Sequence, residues 1–307
     1  MKKWELNNEI SPLAPILEEE LKIPQVFANI LVQRGITNFE EAKQFFRPSF
    51  SDLLDPFSML NMKKAVDRII QAKIQNEKVL VYGDYDVDGT CSVALMYLFL
   101  KEIKIDVCFY QPDRYKEGYG ISMQSVEWAK KNNIDLVIAL DCGVKAIEQA
   151  NQFKKYSIDL IICDHHLPGN ILPFSVAMLN PKQENCSYPF KDLCGCGIGF
   201  KLIHAISFEL KLDSNLILEY LDLVAIATAA DIVPMVGENR VLVKLGLQKI
   251  NETPRIGIKS LIEFSKRKGL IESSDLVFAI SPRINAAGRL GHASMAVELL
   301  SSNTVIE

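Results

Sequence analysis

The chain has 307 residues, of which 49% are hydrophobic and 23% are charged, so it can bury a large core in one large domain or two modest ones. Its formal net charge of −4 at pH 7 argues against a generally basic coat for nucleic acid, although it allows a local basic groove beside acidic metal ligands. The first residues do not resemble a signal peptide and no apolar run approaches the ~18–20 residues of a membrane span, so we expect a cytoplasmic protein without a membrane partner.

Residues 1–60 are predicted to form a helical N-terminal segment. Apolar residues have helical spacing at 24–34 and at 38–46, and a short stretch that begins with Gly35 separates the two. The pattern changes at about Lys63, where helices begin to alternate with strands. We therefore treat this segment as a lead-in to the main domain.

Residues 61–235 are predicted to form an α/β domain. Helices are predicted at 62–75, 90–103, 122–132 and 145–156, and strands at 78–82, 105–110, 135–140, 158–163 and 175–179. Short strands that alternate with longer helices indicate a parallel sheet with helices on both faces. The predicted fold class is thus α/β, with a parallel five-stranded sheet, a helical lead-in and a helical C-terminal part.

After Gly195 the sequence becomes mostly helical. Helices are predicted at 197–210, 216–230, 240–250, 258–268 and 292–300. Residues 236–307 are therefore predicted to be a helical extension. Because residues 301–307 do not have the character of a domain end, we expect the extension to lead into a second domain that is absent from this chain.

The seven cysteines are predicted to be free thiols. Their number is odd, and a chain of this size does not need disulfides for stability. Cys194 and Cys196 are separated by one residue rather than the two of a zinc-binding or redox pair, and no second pair has ligand spacing. The cysteines therefore do not predict a zinc site.

Acidic residues follow three of the predicted strands. Asp84, Asp86 and Asp88 come directly after the first strand, and residues two apart on an extended chain point the same way. Asp141 follows the third strand, and residues 164–166 (Asp-His-His) follow the fourth. Because ligands bind beyond the carboxyl ends of parallel strands, we expect these side chains to converge in one place.

Carboxylates that converge without cations repel one another and resist ionisation. Oxygen and imidazole ligands together suit Mn²⁺, Mg²⁺, Fe²⁺ or Zn²⁺. The set is larger than one catalytic metal needs, which predicts a two-metal site with cations about 3.5–4 Å apart that could serve phosphoryl displacement. The helix that begins just after the acids could hold a phosphate oxygen at its N-terminus.

The same stretch also resembles the start of a calcium-binding loop. An EF-hand loop that began at Asp84 would need a glutamate at its twelfth position, where this chain has Leu95, and it would follow a helix rather than a strand. A single aspartate at a strand end is usually a turn former or a helix N-cap. The coincidence at three strand ends favours a functional site instead.

The segments GDYDVDGT, ALDCG, CDHH and ATAADIVP occur in the order of the four motifs of the DHH phosphoesterase superfamily, which this chain resembles. PDRYKEGYG, CGCGIGFKL and SPRINAAGRLG are similar to segments of the RecJ-type single-stranded-DNA exonucleases, and the resemblance runs from about residue 25 to the end. It implies a DHH catalytic domain at 61–235. It also implies digestion of single-stranded DNA from the 5′ end to 5′-mononucleotides, with two Mn²⁺ or Mg²⁺ ions, in DNA repair and recombination.

The resemblance implies roles for individual residues. The positions that match the metal-binding residues of the family are Asp84, Asp86, Asp88, Asp141, His165 and Asp231. The resemblance makes Asp141 the bridging ligand, and it implies that His166 contacts the scissile phosphate or helps protonate the leaving group. Asp164 is expected to orient a ligating histidine through the other ring nitrogen. Without the resemblance, Asp231 would be interpreted only as the polar end of a buried helix.

Candidate substrate-binding residues come from the three RecJ-type segments, and they are Arg114, Tyr115, Gly197, Arg283, Asn285 and Arg289. Arginine pairs with phosphate and tyrosine can stack on a base. Either Arg283 or Arg289 is expected to clamp the scissile phosphate, with the small residues between them allowing close backbone approach. Gly197 lies at a helix start, where it either presents its N–H to phosphate or serves packing alone.

Two other functions remain open. One is a DHH-family phosphodiesterase, or a pyrophosphatase, that acts on short oligonucleotides or cyclic dinucleotides, against which the segments at 112–120 and 281–291 argue. The other is a catalytically inactive DHH scaffold, against which the full set of expected ligands argues. A dehydrogenase is disfavoured because no G-x-G-x-x-G follows a strand. Besides single-stranded DNA, candidate partners are a single-strand-binding protein and a helicase.

Overall fold

The computed structural model describes residues 11–289, 293–302 and 304. Contacts between residues divide the chain into two units, Met1–Asp52 and Leu53–Glu307. Within the described ranges, every helix is too short or too polar to span a lipid bilayer.

The first unit is helical. It contains α1 (Ala14–Leu21), α2 (Gln25–Gln33) and α3 (Phe39–Phe46). Asn38 caps α3 by accepting a hydrogen bond from the N–H of Glu41, and Gly35 turns the chain with φ +81°. The buried side chains of the unit are Ala14, Leu17, Ala28, Leu31, Ile36 and Ala42. The helices predicted at 24–34 and 38–46 correspond to α2 and α3.

The second unit is built on a parallel sheet, which confirms the predicted fold class. Its strands are β1 (Lys78–Gly83), β2 (Asp106–Tyr110), β3 (Leu136–Leu140), β4 (Asp159–Cys163) and β5 (Ala177–Leu179), in the order β2-β1-β3-β4-β5. Gly83 pairs in register with Leu140, and Leu140 with Cys163. The carboxyl ends of β1, β3 and β4 are therefore level, which places the residues that follow them side by side.

Helices cover both faces of this sheet. The described helices of the second unit are α4 (Met62–Gln75), α5 (Val87–Glu102), α6 (Met123–Lys131), α7 (Ile147–Lys155), α8 (Gly195–Glu209), α9 (Ser214–Leu218), α10 (Leu221–Ala230), α11 (Gly237–Glu252), α12 (Ile256–Phe264), α13 (Ser273–Asp275), α14 (Ser281–Arg289) and α15 (Ala293–Ser301), with a π-helical segment at Leu276–Ile280. On one face, Val126 of α6 and Phe153 of α7 pack with Leu80 and Val137. On the other face, α8 approaches so closely that a Cβ on Gly199 would lie 3.2 Å from Leu140.

One local prediction was wrong in a way that matters for the site. Helix α5 begins at Val87 rather than at residue 90, because the carboxylate of Asp86 accepts the N–H of Gly89 and caps the helix. Asp86 and Asp88 therefore lie at the N-terminus of a helix and do not project from an extended strand. Their convergence with Asp84 has a different cause from the alternation that the sequence suggested.

Candidate metal centre

The centre is formed by the residues that follow three level strands. Asp84 follows β1, Asp141 follows β3 and Asp164 follows β4, and each is only 1% exposed. Backbone pairing continues one residue past two of the strands, since the N–H of Asp141 donates to Cys163 O (2.8 Å) and that of Asp164 to Leu179 O (3.0 Å). The sheet thus fixes the backbones of these aspartates.

Two helix N-termini complete one side of the centre. The buried carboxylate of Asp88, in the first turn of α5, accepts the N–H of Gly195 (2.6 Å) and of Cys196 (2.8 Å) at the start of α8. Helix N-termini carry partial positive charge and stabilise a carboxylate in this way. The N–H of Gly197 points to the Sγ of Cys194 (3.3 Å), and Gly197 is buried. This geometry favours the packing alternative for Gly197, whose phosphate contact stays a prediction.

His165 joins the remaining carboxylates. Its Nε2 lies 3.2 Å from Asp141 Oδ1, and its Nδ1 lies 3.7 Å from Oδ2 of Asp231, the residue at the C-terminal end of α10. Among the described residues, two groups have ligand atoms within 4.8 Å of one another: Asp141 with His165 and His166, and Asp88 with His165 and Asp231. His165 belongs to both groups, so the two could hold neighbouring cations.

Several ligand-type atoms of this cluster are buried without a hydrogen-bond partner. They are Asp84 Oδ1, Asp141 Oδ1, His165 Nδ1 and Asp231 Oδ2. An unsatisfied buried polar atom costs about 1–3 kcal/mol, and native proteins rarely keep several together. Three of these four atoms belong to the two groups described above, where divalent cations would satisfy them, so the residues present fit a metal site.

The electrostatics also fit cations. Burial raises the pKa of Asp84 to about 7, with the charge of Asp86 adding to it. Burial likewise raises the pKa of Asp88 to about 7 and that of Asp231 to about 6, and it raises the pKa of Asp141 well above its usual value. These carboxyls repel one another, so they take up protons unless a cation compensates their charge.

The two neighbouring histidines differ in protonation. Burial lowers the pKa of His165 to about 4, which leaves a neutral ring with a free lone pair, as a metal ligand requires. The carboxylate of Asp164 accepts a hydrogen bond from His166 Nδ1 (2.7 Å), and this bond raises the pKa of His166. His166 is therefore suited to donate a proton or a hydrogen bond.

Asp164 is held firmly in place. Although burial raises its pKa, hydrogen bonds from the His166 side chain, the His166 N–H and the Val144 N–H outweigh that effect and lower it. The sequence predicted that Asp164 orients a metal-ligating histidine. In the structure the ring it contacts is His166, the residue expected at the phosphate, and not His165.

Sequence reasoning did not select Tyr119 as a site residue. Its hydroxyl lies 3.2 Å from Asp141 O, 3.2 Å from His166 Nε2 and 3.4 Å from His166 Nδ1. Tyr115, which was predicted to contact substrate, is 74% exposed in the same loop. The signal that could have distinguished Tyr119 is its position between Gly118 and Gly120.

The three predicted arginines have different surroundings. The guanidinium of Arg114 lies 5.2 Å from the centre of the Tyr85 ring. A Cβ on Gly288 of α14 would lie 2.5 Å from Tyr85 O, so α14 approaches the backbone at Tyr85 closely, whereas the expected approach to phosphate stays a prediction. Arg289 directly follows this contact, whereas Arg283 donates to Ala279 O.

Asn285 and Arg289 are four residues apart on α14, and both are at least partly exposed. Residues with this spacing share one face of a helix. Arg283 instead packs with its guanidinium 5.5 Å from the centre of the Phe264 ring.

Comparison with known proteins identifies similar chains and folds. Residues 78–228 match the model of the DHH family, N-terminal domain. The single-stranded-DNA-specific exonuclease RecJ of Bacillus subtilis is 42% identical over 306 residues, which are 99% of this chain and 38% of that protein. A crystal structure of exonuclease RecJ bound to manganese superposes with a TM-score of 0.74 at 33% identity, covering 81% of this chain and 63% of that one.

A crystal structure of RecJ in complex with Mn²⁺ from Thermus thermophilus has a TM-score of 0.81 at 28% identity, covering 96% of this chain and 41% of that one. The chain spans 38% to 53% of the length of the curated relatives that it matches.

Proposed function

The chain contains the N-terminal domain of the DHH family, as its motifs indicate, and from that premise we propose that it is the catalytic part of a metal-dependent exonuclease that hydrolyses single-stranded DNA from the 5′ end. The reaction is phosphodiester hydrolysis with release of 5′-mononucleotides. The polarity and the products rest on the resemblance to RecJ-type enzymes.

The observation that carries the proposal is the meeting of carboxylates and imidazoles at the level ends of β1, β3 and β4. Three of their ligand-type atoms, and one of Asp231 at the end of α10, are buried without a hydrogen-bond partner. A catalytically inactive scaffold would have no reason to keep this costly arrangement. Two relatives with the same fold have been crystallised with manganese.

We assign the cations, Mn²⁺ or Mg²⁺, to one set of ligands, which are Asp84, Asp86, Asp88, Asp141, His165 and Asp231. Asp141 lies 3.2 Å from His165, and its assignment as the bridging ligand rests on the resemblance to the family. When bound, two such ions supply an activated water and stabilise charge on the phosphate.

His166 is assigned to the leaving group rather than to the metals. The bond to Asp164 fixes its ring by Nδ1 and favours its protonated form. A protonated imidazole can donate to a phosphate oxygen, or it can give its proton to the departing 3′ oxygen. Asp164 thus acts as the residue that orients the acid.

The substrate strand is assigned to the surface around Tyr85. Arg114 lies against the Tyr85 ring, and Arg289 follows Gly288, which approaches Tyr85 O. Arg283 is engaged with Ala279 O and the Phe264 ring, which favours Arg289 as the clamp on the scissile phosphate. Asn285 shares the helix face of Arg289 and would bind the same backbone. The exposed ring of Tyr115 is free to stack on a base.

The test is hydrolysis of 5′-phosphorylated single-stranded DNA by this chain with Mn²⁺. We expect release of 5′-mononucleotides, with the rate reduced at least about 10³-fold in His165→Ala because a metal ligand is lost. Asp106→Asn, which removes an exposed carboxylate at the start of β2, is the matched control and should keep wild-type activity. Hydrolysis of only short oligonucleotides or cyclic dinucleotides would refute the substrate and support the alternative phosphodiesterase.

Elemental analysis separates an enzyme from a scaffold. The enzyme should bind about two Mn²⁺ ions per chain, as expected of a two-metal centre, whereas a scaffold should bind none in stoichiometric amount.

We further propose DNA repair and recombination in the cytoplasm as the setting, with a single-strand-binding protein and a helicase as partners. Co-purification of these two proteins with the chain tests that assignment.

A further inference from the structure

We propose that Tyr119 is a positioning residue, which holds the His166 ring in the orientation needed at the leaving group. The inference rests on the proposed function, because it assigns Tyr119 to the same reaction. The residue lies in the segment 112–120, of which Arg114 and Tyr115 were expected to bind substrate.

The loop around Tyr119 has a defined backbone conformation. Gly118 has φ +80° and Gly120 has φ +84°, values that residues with a Cβ rarely adopt. A Cβ on either glycine would meet no atom within 4 Å. Glycine is therefore required by the backbone conformation and not by steric crowding. Two left-handed residues around one tyrosine turn its side chain back from the surface loop.

Hydrogen bonds hold this loop at both ends of the turn. Gly120 O accepts the hydroxyl of Tyr82 (2.7 Å), a residue of β1. The carboxylate of Glu117 accepts the hydroxyls of Tyr110 (3.0 Å) and Ser122 (2.5 Å) and the N–H of Asp113 (2.8 Å). The loop is thus tied to the sheet, and Tyr119 has a fixed base even though its side chain is 55% exposed.

The hydroxyl of Tyr119 lies between the two groups that the reaction needs in register. It is 3.2 Å from Asp141 O and 3.2 Å from His166 Nε2. The hydroxyl is also 3.4 Å from His166 Nδ1, so it contacts the ring edge between the two nitrogens. Because Nδ1 donates to Asp164, Nε2 is the nitrogen that can give a proton to the leaving group. His166 is 43% exposed, so these two bonds and its contact with the His165 ring are what limit its rotation.

The proposed role of Tyr119 predicts that its loss affects only leaving groups that need a proton. Water attacks phosphorus and loses its proton to solvent, the bond from phosphorus to the 3′ oxygen breaks, and His166 gives a proton to that oxygen. Complete loss of the acid would slow this step by about 10²-fold or more, and a misoriented acid loses part of that factor. A nitrophenolate leaving group needs no proton, so its departure does not depend on how His166 is held.

The experiment compares Tyr119→Phe with the wild type on two substrates, single-stranded DNA and the p-nitrophenyl ester of thymidine 5′-phosphate, both with Mn²⁺. We expect kcat on DNA to fall about 10–100-fold with KM within about twofold, and hydrolysis of the ester to change less than about threefold. Tyr156→Phe, which loses a hydroxyl bonded to the exposed Glu127, is the matched control and should match the wild type. Thermal unfolding of each variant checks that the fold is kept.

A double variant tests whether Tyr119 acts through His166. Tyr119→Phe should cost no further activity in a His166→Asn background, because the group that it positions is gone. Gly118→Ala should reproduce the defect of Tyr119→Phe by disturbing the turn. Equal loss on both substrates, or an undiminished loss in the double variant, would overturn the inference.

The two proposals fail differently. If the wild type cleaves both substrates and Tyr119→Phe is unimpaired, only the role of Tyr119 is refuted. If the wild type cleaves neither substrate, the proposed function is refuted, and this inference with it.

Discussion

At the scale of single residues, Asp141 shows how stability and function oppose each other in this centre. Its backbone has φ +59°, in the left-handed region that L-residues adopt at a cost of about 1–2 kcal/mol, although aspartate tolerates it better than most. Its carboxylate is 1% exposed and has a raised pKa because of burial and the charge of Asp88. Such an arrangement persists when the surrounding structure imposes it and function requires it.

The variant Asp141→Asn should separate these two effects. We expect at least about a 10³-fold loss of hydrolysis, because a bridging carboxylate is missing. We also expect the metal-free protein at pH 8 to be unchanged or more stable by about 1–2 kcal/mol, since a buried charge and its repulsion are removed and asparagine suits left-handed backbone. Activity assays and thermal unfolding in EDTA measure both, and a less stable variant would contradict the argument.

The sequence identified most of the cluster, but for reasons of unequal quality. Strand-end position correctly placed Asp84 and Asp141 together, because it follows from the geometry of parallel sheets. Alternation gave the wrong reason for Asp88, whose position depends on contacts with α8 that are far away in sequence. Asp231 was reached only through the family resemblance. Tyr119 was missed because its role depends on two backbone angles that sequence alone does not reveal.

At the scale of elements, helix α8 supports the centre by its close approach. A Cβ on Gly195 would lie 2.5 Å from Asp141 Cβ and 2.8 Å from its Cα, so glycine is needed for the helix to start here. From that position its first N–H groups reach the carboxylate of Asp88. The glycine-rich start of α8 thus sets the spacing between two of the proposed ligands.

The variant Gly195→Ala should therefore disturb the metal centre. The added methyl group must push α8 away from Asp141, at a cost of about 1–3 kcal/mol, and should lower Mn²⁺ affinity at least about tenfold. Calorimetric titration with Mn²⁺ measures this change. Gly169→Ala is the matched control, because its Cβ would be 3.7 Å from Ile171 O and meets no crowding. Equal Mn²⁺ affinities of the two variants would exclude the spacing role.

Element boundaries were predictable where apolar spacing within the helix indicates them, and not where a cap or a distant contact decides them. Helix α4 was predicted with its observed bounds from apolar spacing. The stretch predicted as one helix at 216–230 is instead α9 and α10. At the break, Glu219 O accepts a hydrogen bond from Arg255, the residue that precedes α12. No pattern within 216–230 contains that partner.

At the scale of the whole molecule, the metal centre couples elements that are far apart in the chain. Its proposed ligands follow β1, β3 and β4 or belong to α5 and α10. The free energy of folding of the second unit therefore has to offset the repulsion among these buried charges. Ligands that bind only the folded state stabilise it, by about 2.7 kcal/mol at a concentration of 100 times Kd.

The stabilisation by Mn²⁺ should grow as pH rises. Burial raises the pKa of Asp84 and Asp88 to about 7 and that of Asp231 to about 6, so between pH 4 and 7 the folded metal-free protein holds more protons than the unfolded chain. Its free energy of unfolding therefore falls as pH rises through this window. The lowered pKa values of His165 and His204, caused by burial, act in the opposite direction, but they are two groups against the four carboxyls of the centre whose pKa is raised, which include Asp141.

Thermal unfolding at several pH values with EDTA or with Mn²⁺ checks this prediction. We expect the difference in Tm between the two conditions to increase from pH 5 to pH 8, because metal ions compete with protons for the same carboxylates. A buffer with matched ionic strength controls for general screening. A Tm difference that stays constant over this range would mean that these carboxyls are not the ligands.

The strand order β2-β1-β3-β4-β5 also bears on how the protein acquires its activity. Every pairing in a parallel sheet joins segments separated by a crossover, so these contacts form late and slowly during folding. Asp84 and Asp231 are separated by about 150 residues of sequence, and this segment must fold before the two side chains come close. Cations therefore find no binding site on the nascent chain. Because they bind only the folded state, we expect the cations to slow unfolding and to leave the rate of folding unchanged.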